Sequence, residues 1–152
     1  MTRATRAIAL AACTMMMGPA MGSAQQVVGK GVEFTKPENI KWVRNAAGTQ
    51  ETAVLFGDPD KPGPYVIRLR LLPGNMSRPH FHPNDRHVVV IEGTWWLGVG
   101  DTYDPDHTVP VGPGTYVFHK GKEIHYDGAK KEPVVIQIWG IGPSASTPAE
   151  KK

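Results

Sequence analysis

From Gln25 onward the apolar residues come in short runs or alternate with polar ones, and no stretch keeps a helical apolar period for three turns. Successive side chains on a strand point to opposite faces, so runs of this kind predict strands. The candidate strands are 31–34, 40–44, 51–56, 65–72, 78–82, 87–92, 94–98, 108–111, 116–119, 124–126 and 133–140. Turn-forming stretches lie between them, such as Gly57-Asp58-Pro59-Asp60, Pro73-Gly74-Asn75, Pro83-Asn84-Asp85 and Val111-Gly112-Pro113-Gly114. Proline fixes φ in such turns, while glycine and asparagine accept positive φ. Many short strands in one compact unit predict an all-β sandwich or barrel.

The two ends of the chain break this pattern. Residues 1–24 have a basic start with Arg3 and Arg6, an apolar stretch from Ala7 to about Met21, and the small residues Gly22, Ser23 and Ala24. This is the layout of an export signal, with cleavage expected after Ala24 and the mature protein in the periplasm or secreted. The apolar run is too short and too interrupted by Gly18 and Pro19 for a membrane span. Leu10-Ala11-Ala12-Cys13 also resembles a lipoprotein processing box, although the apolar segment before it is brief; cleavage after Ala24 is the preferred reading. At the other end, residues 143–152 are polar with little to bury, and a disordered tail is expected there. The domain itself should span 25–142.

Composition narrows the function. The formal net charge of +3 includes Arg3 and Arg6 of the export signal, so 15 basic residues face 14 acidic ones in the remainder. That balance gives no reason to invoke nucleic acid or an anionic membrane. Cleavage after Ala24 also removes the one cysteine, Cys13, which excludes thiol catalysis and a thiolate-held metal in the mature chain.

The chemistry then falls to histidine. His80 and His82 alternate with Phe81 on a candidate strand, so their imidazoles share a face and can bind one divalent ion; ordinary hydrogen-bonded histidines are the plain alternative. Other candidates are scattered. Tyr126 and His119 are possible proton-transfer groups, with a structural or exposed role expected of each. His107 reads as a loop residue, and Asp104 and Asp106 beside it lack the spacing of a calcium loop. Adjacent Trp95 and Trp96 must face opposite ways, so only one of them can line an interior.

The wider spacing resembles the cupin superfamily. Its first motif runs Gly, five residues, His-x-His, three or four residues, Glu, six residues, Gly; here Gly74, His80-Phe81-His82 and Gly93 keep that spacing, with Arg86 at the Glu position. Its second motif runs Gly, five residues, Pro-x-Gly, two residues, His, three residues, Asn. Here Gly114 and His125 hold their places, while Lys120, Lys122 and Ala129 replace the Pro, second Gly and Asn. The resemblance covers 74–129 and implies a single jelly-roll barrel of the cupin kind. It further implies that His80, His82 and His125 project inward and bind a divalent transition metal: Fe, Mn, Ni, Cu or Zn.

Arg86 is the departure that matters, because a guanidinium cannot ligate and repels a cation it faces. With four residues before the carboxylate position, the fourth ligand becomes His87, and a four-histidine set suits late first-row metals. Alternatively Asp85 or a substrate oxygen completes the shell, and Arg86 holds a substrate carboxylate. The register with His87 is preferred. Arg86 and Tyr126, beside His125, are the candidate substrate-binding residues. The resemblance implies a metal-dependent enzyme acting on a small molecule by dioxygenase, isomerase or lyase chemistry. The rival is a non-catalytic cupin that binds or senses a small ligand or a metal. A purely structural role is a third reading, since the edge strands of such a barrel can mediate a homodimer.

Overall fold

The computed structural model describes residues 26–27 and 29–152. The export signal expected over 1–24, with Cys13, lies outside the described residues. In chain order the strands are β1 (Gln26–Val27), β2 (Glu33–Phe34), β3 (Val43–Arg44), β4 (Gln50–Phe56), β5 (Gly63–Leu71), β6 (Asn75–Met76), β7 (His80–Phe81), β8 (Arg86–Glu92), β9 (Trp95–Val99), β10 (Val109–Val111), β11 (Tyr116–His119), β12 (His125–Ala129), β13 (Val134–Gly142) and β14 (Thr147–Pro148). Short 3-10 turns occupy Pro37–Asn39 and Pro105–His107. The strand expected over 40–44 is therefore cut to Val43–Arg44, because Pro37 starts a turn that closes with the amide of Ile40 donating to the Pro37 carbonyl.

Two antiparallel sheets carry the architecture. One has the order β11-β8-β13-β5-β4-β3; in the other, β10-β9-β12-β7-β14, strand β6 also pairs with β12. The long strands alternate as the sequence pattern requires. On β8, Val88 and Val90 point inward; on β13, Val134, Ile136 and Ile138 do so; Tyr65, Ile67 and Leu71 of β5 complete that side. Trp95 and Ala129 close the core from the other sheet. Burying a side chain of this class fully stabilises the fold by about 1.5–3 kcal/mol, so these positions hold the sheets together. Trp95 is inside, and Trp96 faces out beneath the Lys130 ammonium, 3.9 Å from the ring centre, as alternation requires. A bulge between Val135 and Ile136 lets both residues be buried in succession.

Residues 144–151, within the segment expected to be a disordered tail, pair with the barrel through their backbone. Thr147 and Pro148 pair with Phe81 and His80, the Ala149 amide donates to the Pro79 carbonyl at 2.9 Å, and the Lys151 amide donates to the Asp101 carbonyl at 2.9 Å. Composition gave no reason for order here, because what holds the segment is backbone pairing to an open edge of β7 rather than burial of its own side chains.

Candidate metal centre

Strands β7 and β12 are antiparallel with His80 opposite His125, and His82 returns to the same face one alternation beyond His80. Three imidazoles therefore meet. Their ring centres are 4.9 Å apart for His80 and His82, 4.6 Å for His80 and His125, and 5.3 Å for His82 and His125. His82 and His125 are buried and His80 is half-buried.

The backbone sets the tautomer of each ring. Nδ1 of His80 donates to the Arg78 carbonyl at 2.8 Å, Nδ1 of His82 to the Ala145 carbonyl at 2.7 Å, and Nδ1 of His125 to the Glu123 carbonyl at 3.1 Å. A carbonyl only accepts, so the proton of each neutral ring sits on Nδ1 and the lone pair on Nε2. Nε2 of His80 and Nε2 of His82 lie 3.1 Å apart, and Nε2 of His125 is buried without a hydrogen-bond partner. Facing lone pairs repel unless a cation lies between them. At 3.1 Å both nitrogens could reach one common ion at about 2.1 Å. The donor set fits a divalent transition metal.

Burial keeps these rings in the form a metal needs. Desolvation lowers the pKa of His82 to about 3, with the nearby Arg86 charge acting in the same direction. Burial also lowers His125, against the opposing pull of Asp127. Both are neutral at physiological pH.

A second layer lies beside the trio. Arg86, opposite His119 in the β8–β11 register, points inward; its Nη2 donates to His119 Nδ1 at 3.0 Å, and its Nε is buried without a partner. Burial lowers the Arg86 pKa, opposed by the charges of Asp127 and Tyr65. His119 lies 4.1 Å from His125 between ring centres, and burial first, then the charge of His125, lowers its pKa to about 2. Asp127, two residues beyond His125 and on the same face, places Oδ2 3.9 Å from His125 Nε2, while Trp95 Nε1 donates to its Oδ1 at 3.1 Å. A cavity of about 690 Å3 opens from this region, lined by Ile67, Leu69, Leu71 and Met76 as well as by His80, His82, Arg86 and Asp127.

No protein-family profile matches the chain, and no curated protein does. Solved structures do match. The polyketide cyclase RemF from Streptomyces resistomycificus superposes with a TM-score of 0.65 at 19% identity, over 80% of this chain and 87% of the cyclase. A cupin-2 domain from Rhodospirillum rubrum gives 0.52 at 16% identity, over 78% and 76% of the two chains. This chain has the cupin fold. The DMSP lyase DddQ from Ruegeria pomeroyi shares it as well, with a TM-score of 0.56 at 16% identity over 74% of this chain and 64% of the lyase.

Within this cupin barrel several expectations from the sequence need correction. His87 is not with the other histidines. It alternates with inward Arg86 and so lies on the outer face of β8, stacked on Trp139 at 5.5 Å with its Nδ1 bonded to the Tyr116 hydroxyl at 2.8 Å. Continuous valine and isoleucine after it hid which face was which; Arg86 is buried and His87 only partly so. Asp85 is spent elsewhere, its Oδ1 accepting from the Gly121 amide at 2.7 Å. Tyr126 alternates with His125 and points away from the histidines, its hydroxyl donating to the Asp104 carbonyl at 3.0 Å under the 101–107 loop. Arg86 does line the cavity. His119, expected to be structural or exposed, belongs to the interior layer, and Asp127 was not foreseen at all. Its signal was present: two residues past a strand histidine is the same face.

Proposed function

We propose that this cupin is an exported metal-dependent enzyme that acts on a small molecule carrying an anionic oxygen group. The observation that carries the reading is the convergence of three Nε2 lone pairs, each fixed by an Nδ1 to carbonyl hydrogen bond, beside a cavity that a buried arginine lines. Export rests on the basic start and apolar stretch of residues 1–24.

His80, His82 and His125 would hold the ion, and a divalent transition metal bound there supplies Lewis acidity toward a substrate oxygen or, if redox-active, a site for dioxygen. Arg86 orients the anionic group of the substrate, because its Nη2 and Nε are the permanent positive charge of the interior. Ile67, Leu69 and Leu71 take the apolar body and exclude water from it. His119 accepts a hydrogen bond from Arg86 at Nδ1, so its own proton is held at Nε2, where the neutral ring can donate a hydrogen bond inside the barrel. The likeness to a polyketide cyclase and to a DMSP lyase supports cyclisation or elimination, neither of which needs a redox-active metal. The second reading is a cupin that binds a ligand or a metal without turnover, favoured by the replacement of the usual carboxylate with the buried Arg86.

The test is elemental analysis of the mature chain purified without a polyhistidine tag. Near-stoichiometric metal in the wild type, lost in His80→Ala and His125→Ala, is the expected result. Substoichiometric metal unchanged by either substitution would overturn the proposal.

A further inference from the structure

We propose that residues 144–151 are a working part of the metal centre, a strap that holds His82 in position through the carbonyl of Ala145 and walls the cavity above it. The proposal rests on the metal reading of His80, His82 and His125. Of the three Nδ1 contacts, those of His80 and His125 go to carbonyls two residues earlier in the chain, at Arg78 and Glu123, just ahead of their strands. Those bonds are local to the chain around each histidine. His82 differs: its acceptor, at 2.7 Å, is the carbonyl of Ala145, 63 residues away. The tautomer of this one ring therefore depends on a segment that docks from elsewhere in the chain.

The strap is tied down along its length. The Ser144 amide donates to the Pro59 carbonyl at 2.6 Å, Thr147 and Pro148 pair with β7, and the Ala149 amide donates to the Pro79 carbonyl. At its far end Arg78 forms a forked pair with Glu150, with Arg78 Nε donating to Glu150 Oε2 at 2.8 Å. Ser144, Ser146 and Pro148 also line the cavity. Yet the segment contains no large apolar side chain, so hydrogen bonds worth about 1 kcal/mol each hold it rather than core burial. It can leave without emptying the core. Released, His82 loses its acceptor, and its Nε2 is no longer aimed by a fixed partner. Loss of such an outer partner weakens metal binding by about 10–100-fold in other sites.

Two variants test this. One is the chain ending at Pro143; the other is Ala149→Pro, which removes the amide bonded to Pro79 and leaves the barrel intact. Zn(II) affinity is measured by chelator competition, and the Co(II) absorption spectrum reports ligand geometry, which a purely structural role of the strap would not move. We expect about 10–100-fold weaker Zn(II) binding and an altered Co(II) spectrum in the shortened chain, with Ala149→Pro weaker than wild type by about threefold or more. Wild-type affinity and spectrum in the shortened chain would overturn the proposal. If the shortened chain does not fold, Ala149→Pro decides alone, and wild-type values there would overturn it equally. A wild-type chain that binds neither ion would sink the metal reading itself, and the strap proposal with it.

Discussion

Arg86 donates from Nη2 to Nδ1 of His119 across 3.0 Å inside the barrel, at the position where cupins of this spacing carry a metal-binding carboxylate. Arginine is an obligate donor, so His119 keeps its proton on Nε2 and is oriented oppositely to His80, His82 and His125. One neighbour thus decides that His119 carries its proton on Nε2, while the other three carry theirs on Nδ1 and leave a lone pair on Nε2.

A metal held by His80, His82 and His125 would be repelled by the Arg86 charge. Arg86→Glu should therefore tighten Zn(II) binding by at least about tenfold, roughly 1.4 kcal/mol, by adding an oxygen donor and removing the repulsion. Chelator competition against wild type measures it; unchanged or weaker binding in a folded variant would refute the electrostatic account.

His87→Ala should leave metal content unchanged, because the ring lies on the opposite face of β8 from the site. It should cost about 1 kcal/mol of stability through the lost stack on Trp139. Elemental analysis and a denaturant titration of the same variant check both halves.

Gly93→Ala should destabilise the barrel by about 3 kcal/mol. Gly93 sits at φ 74° in the β8–β9 turn, and a Cβ there would lie 2.2 Å from the Pro133 carbonyl oxygen, a backbone atom that cannot step aside. A shift in the urea midpoint without a change in slope would report it.

The metal-free protein should lose stability as pH falls below about 6.5. Burial holds His82 at about 3 and His119 at about 2, against an ordinary value of 6.5, so the unfolded chain binds more protons throughout that window. Their neutral forms are accommodated above the unfolded value, and stability declines from there down towards the folded values. Urea midpoints between pH 8 and pH 5 measure the slope, which His119→Gln should flatten.

The sequence by itself determined the all-β character, the alternation that put Trp95 inside and Trp96 outside, and the two histidines of His80-Phe81-His82 on one face. These are local consequences of strand geometry, where a period of two needs no knowledge of the partner strand. The motif spacing also brought in His125, whose place opposite His80 the pairing of β7 and β12 then realised. What only the tertiary structure decided are the features that depend on which face is buried or on what docks from far away. Val88 to Ile91 are apolar on both sides, so nothing local separated inward Arg86 from outward His87; the packing of the β8 sheet against the sheet that carries Trp95 and Ala129 did. The ordered course of 144–151 arises from backbone groups that any sequence carries, and from an open strand edge that exists only once the barrel has formed.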